Sequence, residues 1–352
     1  MPHTRRVPTD FRRKADTGTC RLHWVDMARG LAIILVVLAH CWRGLANANL
    51  LGLEQGWLGY LDRFIYLFHM NAFFILAGSF LLQQAQRGTA GRYLGHLSLR
   101  LLYPLALWTY LFIALRVLAG ASANAPADPA ALLVLPLPPV DHLWFLWAMF
   151  LGMVFWGGLV RALTALGQRP VVWLILALAA SLVWDMVEIP PTLVDWIAET
   201  LRHLPFLALG VALGFSGNWM EGKIWLPPRP YLWVPVAFIA LGSLAQYAEP
   251  KSFGLNVLSA LTTLLFLALA QPIARLGSKG RLNGVIRLLG QHSMAVFLAH
   301  TIFSAATRIA LIKIGISDPS LHLILGTAIG LAGPLALALW AQRLRVTRLL
   351  GF

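Results

Sequence analysis

A chain of 352 residues with 59% hydrophobic and only 12% charged residues, and a mean hydropathy of +0.71, falls outside the soluble globular class, where about a quarter of residues are charged. Its net charge of +14 would suit a nucleic-acid partner, but the basic residues sit in short segments between long apolar runs, where membrane topology accounts for them. Two cysteines exclude a disulfide framework; Cys20 and Cys41 on one helix would stand about 30 Å apart, too far to bridge.

The apolar runs each approach the roughly 20 residues that cross a bilayer as a helix. The expected fold class is therefore all-α, a polytopic transmembrane helical bundle of about ten spans with both termini cytoplasmic. Residues 1–23 are polar and basic, with Arg5, Arg6, Arg12, Arg13, Lys14 and Arg21, and are expected to form a disordered cytoplasmic tail. A cleaved signal is not expected, because the first apolar run carries Arg29 and His40 and lacks a small-residue cleavage site. Residues 24–341 form the membrane domain, with spans near 24–46, 62–82, 98–119, 143–165, 171–188, 201–217, 231–247, 254–273, 290–312 and 320–341. Residues 342–352 are expected as a basic cytoplasmic C-terminal tail.

The first span reads DMARGLAIILVVLAH from Asp26 to His40. At 100° per residue, Arg29 and His40 lie about 20° apart around the helix, and Asp26 and His40 about 40° apart. One stripe thus carries an acid, a guanidinium and an imidazole over roughly 21 Å. Ionisable groups in hydrocarbon cost several kcal/mol unless they face protein or water, so the stripe is expected to look into a polar cavity. The second span adds FHMNAFFILAGSF with His69, and the third opens on RLLYP with Arg100 and Pro104. The fourth starts with DHLWFLW, placing Asp141 and His142 at its boundary and Trp144 and Trp147 as interfacial anchors. The ninth reads GQHSMAVFLAH, with His300 near mid-membrane.

Depth joins these residues into one expectation. Arg29 and Arg100 lie towards the cytoplasm, His40, His69 and His142 in the outer half, and His300 near the middle, giving a cavity with guanidinium groups below and imidazoles above. Arginine suits phosphate recognition and imidazole suits proton transfer near neutral pH. A metal site is not expected, since no His pair at i,i+4 and no Cys or carboxylate cluster completes a ligand set. Loop charge supports the topology: inside segments hold 20 of the 28 Lys and Arg, in keeping with the positive-inside rule. Seven fall outside or at outer helix ends, namely Arg43, Arg63, Arg116, Arg202, Lys251, Arg308 and Lys313. The rival class is a secondary transporter using intramembrane His, Arg and Asp for proton or substrate coupling, against which stands the lack of an inverted repeat.

The Arg followed eleven positions later by His, with an Asp three positions before the Arg, resembles the acyltransferase-3 family of integral membrane acyltransferases. FHMxxFFxxxG at 68–78, Arg100 with Pro104, HLWFLW at 142–147 and GxxSxxxFxxH at 290–300 support the resemblance in order along the chain. The chain is most similar in flavour to the short members resembling fucose 4-O-acetylases, which lack an appended extracytoplasmic hydrolase-like domain. Asn71 and Ala72 stand where the family often has Pro and Leu, and Ala77 where a Ser commonly precedes Gly78.

The resemblance implies an O-acyltransferase of the bacterial inner membrane. It would move an acyl group, typically acetyl, from acyl-CoA (acetyl-CoA) to a hydroxyl of a glycan or related envelope acceptor. On that reading Arg29 and Arg100 meet the donor's phosphates, and His40 is the base for the acceptor hydroxyl or the carrier of the acyl group. Asp26 holds Arg29 in place as the third catalytic residue, and His69, His142 and His300 support the acceptor side. The lipid bilayer is the expected surrounding, and nucleic acid is no partner.

Overall fold

The computed structural model describes residues 22–52, 56–162, 169–221, 233–276 and 280–352. The expected tail 1–23, apart from its last two residues, lies outside them, as does Cys20. Among the described residues the chain is helical, with no strand.

Eight helical segments are long and apolar enough to cross a membrane, and two shorter apolar ones, Pro170–Met186 and Trp233–Tyr247, stand at the fifth and seventh expected positions. The first, α1 (His23–Asn47), is apolar apart from the stripe of Asp26, Arg29 and His40 and packs against helices on several sides, as a helix does when it forms the centre of a bundle. The second span is two pieces, α2 (Trp57–Tyr66) and α3 (His69–Ala85), broken at Leu67–Phe68. The third joins α4 (Ala90–Leu97) to α5 (Tyr103–Ala119) through a π-helical turn, Ser98–Leu102. That turn has a sequence cause. Pro104 offers no N–H to the carbonyl of Arg100 four residues back, and its ring crowds that carbonyl, so the helix widens there.

Next come α6 (Trp144–Ala162), α7 (Pro170–Met186), α8 (Pro191–Gly214), α9 (Trp233–Leu244) and α10 (Phe253–Leu276). α7 is peripheral. It buries Trp173, Ala177 and Ser181, a stripe at four-residue spacing, against α8. Its other large apolar side chains, among them Leu174, Ile175 and Leu182, are exposed, as suits a face turned to lipid.

The expected ninth span is corrected at its start. Gly290 and Gln291 close a separate helix, α11 (Arg281–Gln291), the backbone breaks at His292, and α12 (Ser293–Lys313) begins afresh. The last helix is α13 (Pro319–Arg343). Beyond it the chain folds back onto α5: Tyr103 Oη donates to the Leu349 carbonyl at 2.6 Å, Trp108 Nε1 to that of Leu350 at 2.9 Å, and Phe352 stacks on Trp108. The basic C-terminal segment is thus docked on the bundle.

Two glycine contacts set the helix spacing. A Cβ on Gly78 of α3 would overlap the Leu207 carbonyl of α8, and one on Gly210 would overlap that of Ile75. Likewise a Cβ on Gly30 of α1 would overlap the Ile286 carbonyl of α11, and one on Gly290 that of Asp26. Small residues let membrane helices approach backbone to backbone, where packing supplies the association energy.

Candidate active site

The α1–α11 crossing fixes what lies further along. α11 runs antiparallel to α1 at this crossing, with Gly290 meeting Asp26 and Ile286 meeting Gly30; after the break at His292, α12 turns back along α1, and His300 meets His40. His300 Nε2 lies 3.1 Å from His40 Nδ1. The His300 Nδ1–H donates to the carbonyls of Val296 (3.0 Å) and Phe297 (2.8 Å). In a neutral imidazole one ring nitrogen donates and the other accepts. With Nδ1 committed as donor, His300 Nε2 accepts from His40 Nδ1–H. The lone pair of His40 then resides on Nε2. A backbone carbonyl on α12 therefore sets the tautomer of the imidazole on α1.

His142 completes the cluster. Its ring centroid is 5.8 Å from that of His40 and 5.0 Å from that of His300, and it meets Phe112 and Phe297 edge-on. The residue before it, Asp141, has a left-handed φ of 48°, a conformation that costs a non-glycine residue about 1–2 kcal/mol. The Asp141 carboxylate pairs with Arg116, which holds that turn and sends His142 inward. His69 starts α3, and its Nδ1–H donates to the Ile65 carbonyl at 2.6 Å, leaving Nε2 buried with no partner. His142 Nε2 is likewise unpartnered. Three of the four imidazoles are fully or almost fully buried, whereas His40 is half-buried. It is the imidazole that a substrate can reach.

His40, His69 and His142 line a cavity of about 600 Å³. Its walls come from the C-terminal halves of α1, α5 and α12 and the N-terminus of α13, so it opens at the end of the bundle that carries the 120–142 loop. Arg43, Tyr66, Arg116, Trp144, Thr301, Ser304, Arg308 and His322 also face it. Among the described residues no group of three or more His, Cys, Asp or Glu is arranged to hold a metal ion. Here the imidazoles are tied to backbone carbonyls and to each other.

The arginines expected below the imidazoles, Arg29 and Arg100, are not part of this cavity: Arg29 is half-buried one-third of the way along α1, and Arg100 is exposed in the π-helical turn. Asp26 is buried and accepts from Gln291 Nε2 at 3.2 Å, at the α1–α11 crossing and far from the imidazoles. Guanidinium groups instead stand above the imidazoles. Arg43 forks onto Asp62 (Nε–Oδ1 3.0 Å, Nη2–Oδ2 2.6 Å) and lies over the Tyr66 ring at 3.5 Å. Asp62 also accepts from Trp42 Nε1 at 2.6 Å. Trp144, expected as an interfacial anchor, lines the cavity and stacks on His203. His203, buried and bonded to the Glu199 carbonyl at 2.7 Å, joins the site from α8 with no sequence motif to mark it.

Comparison with known proteins places this arrangement. Over 223 residues, 63% of the chain, it is 28% identical to nodulation protein NolL of Mesorhizobium japonicum, covering 54% of that protein. Over 124 residues, 35% of the chain, it is 30% identical to nodulation protein NolL of Sinorhizobium fredii, covering 32% of it. The chain thus spans about half the length of the first of these relatives and a third of the second. A family model described as an acyltransferase domain matches residues 22–339, from the start of α1 almost to the end of α13. That match takes in the α1 stripe, the His300 helix and every helix between them, and the chain belongs to the acyltransferase-3 family.

Proposed function

We propose that this protein is an integral membrane O-acyltransferase that moves an acyl group, acetyl in the simplest case, from acyl-CoA to a hydroxyl of a glycan or related envelope acceptor. The observation that carries the reading is the His300–His40 pair, which leaves an accepting nitrogen of a reachable imidazole at the floor of a cavity large enough for a sugar. His40 Nε2 takes the proton of the acceptor hydroxyl. The oxygen attacks the thioester carbonyl, the C–S bond breaks, and the proton returns to the sulfur, so that an ester and free CoA leave. His40 itself acting as the first acyl acceptor gives the same overall balance.

The donor is proposed to approach from the opposite end of α1. Arg29 stands roughly 16 Å from His40 along the helix axis, a separation comparable to the extended pantetheine arm between the phosphates and thioester of CoA. Arginine matches phosphate in geometry and charge. Arg100, exposed near that end, is the second proposed phosphate contact, and Asp26 positions the start of α1. The lipid bilayer of a bacterial inner membrane is the proposed setting.

The test is thioester turnover by the purified full-length protein in detergent or nanodiscs. Supplied with acetyl-CoA and an extract of envelope glycans and lipids, it should release free CoA and leave an acceptor one acetyl group heavier. An acetyl-CoA pool that stays intact with every acceptor fraction would contradict the reading and favour a transporter, which moves its substrate without cleaving it.

A further inference from the structure

Three guanidinium groups face the cavity above His40, and they are not equivalent. Arg43 has Asp62 and Arg116 has Asp141. Arg308, 8% exposed, makes one hydrogen bond, from Nη1 to the Gly44 carbonyl at 3.0 Å, and among the described residues no carboxylate pairs with it. Arginine does not lose its proton to escape burial, and a buried charge without a partner costs several kcal/mol. The remaining N–H groups of Arg308 belong to a side chain that lines the cavity, where an anion would supply the missing charge.

Two further groups lining the cavity lack partners. Thr301 shares the Arg308 face of α12, seven residues earlier and about 20° round, and its Oγ1 is buried and unpaired. His322 on α13 donates from Nε2 to the Ile316 carbonyl at 2.8 Å, which leaves its buried Nδ1 as an unpaired acceptor. Both line the cavity. A cation without a counter-ion lining one cavity with an unused acceptor and an unused hydroxyl describes a ligand that carries both an anionic group and hydroxyls.

We infer that Arg308 forms an anion subsite for the acyl acceptor, which is an acidic sugar: its carboxylate or phosphate pairs with Arg308 while a hydroxyl of the same molecule meets His40. Gly44, the carbonyl partner of Arg308, lies one turn beyond His40, about 6 Å along α1, which is the scale of one sugar ring. The inference rests on the acyltransferase reading for the name acceptor, but not for the existence of the subsite. The donor's phosphates are a poorer match, because Arg308 meets α1 at Gly44, beyond His40 and towards the end opposite to Arg29. The anion has two sources, an acidic ring or the phosphate that joins a sugar to its carrier lipid.

The test reads binding without catalysis. Diethyl pyrocarbonate modifies reachable imidazoles, and mass spectrometry of the peptide containing His40 follows its modification in the full-length protein. Glucuronate, glucose 1-phosphate, glucose and CoA are the competing probes. Glucuronate or glucose 1-phosphate should slow modification of His40 at concentrations where glucose does not, and whichever protects identifies carboxylate or phosphate. In Arg308→Gln the protecting concentration should rise about ten- to a hundredfold, as for loss of a charge-assisted bond. Arg308→Lys should retain part of the protection, and rising salt should weaken it in the unmodified protein, so the test survives if Arg308→Gln fails to fold. Glucose protecting as well as the anions, unchanged protection in a folded Arg308→Gln, salt-independent protection, or protection by CoA alone would overturn the inference. Because no thioester is present, missing acetyl-CoA turnover would sink the transferase reading and leave the subsite standing.

Discussion

An imidazole serves as a base only through the nitrogen that lacks a proton, and in His40 that choice is made by a neighbour. The Phe297 carbonyl fixes His300, and His300 fixes His40. His300 touches neither substrate nor reacting atoms on this account; it is a positioning residue. His300→Phe keeps an aromatic ring but removes all three hydrogen bonds, so His40 can take either tautomer. Transfer should fall about ten- to a hundredfold, less than for loss of the base itself. The pH profile of kcat/KM should also move along the pH axis. A lower plateau with an unmoved profile would mean that His300 only fills space. The Arg29–His40 stripe was legible from helical periodicity alone. The partnership of His40 with His300 was not, because residues 260 apart in sequence meet only where α12 packs along α1.

At the scale of elements, the family-like motifs acquire separate jobs. In the segment from Gly290 to His300, Gly290 brings α11 against Asp26, Ser293 opens α12 after the break, Phe297 packs on His142, and His300 bonds His40. A methyl group at Gly290 must push α11 off α1, and overpacking of this kind costs about 1–3 kcal/mol. Gly290→Ala should therefore lower Tm in detergent and reduce transfer, since α12 shifts with α11. Gly284→Ala, on the same helix with open space around it, should change neither. Equal behaviour of the two variants would remove the crossing from the account. The helix α11 itself was readable, with Ile286, Leu289 and Gly290 buried on one face, a spacing of three and four. Its Arg281 and Arg287 made it look like a cytoplasmic loop instead. The RLLYP motif shows the reverse case: its proline explains the π-helical turn on local physics, whatever Arg100 binds.

For the whole molecule, the loop-charge pattern carried two messages. Its majority is the pattern from which the topology is expected, and among the described residues helices stand at the ten expected positions, eight of them long and apolar enough to cross a membrane. Its exceptions described the site. Three of the seven basic residues assigned to the outer side, Arg43, Arg116 and Arg308, line the cavity. Sequence alone could not separate them from ordinary helix-end cations, because burial and pairing with Asp62 or Asp141 depend on other helices. The topology has a direct check. Reporter fusions after residues 90 and 280 should sit in the cytoplasm, and fusions near 125 and 250 outside. A cytoplasmic signal at 125 would put the cavity mouth on the wrong side for an envelope acceptor.

The claim on which everything turns is that His40 moves the proton in acyl transfer. His40→Gln retains size and hydrogen bonding but cannot take that proton. The decisive measurement is the rate of acetyl transfer by this variant, beside acetyl-CoA binding on the same preparation, both normalised to folded protein. Transfer should drop about 10²–10⁴-fold with donor binding intact. A variant that keeps most of its transfer rate would contradict the account, leaving His40 as a hydrogen-bonding link between α1 and α12.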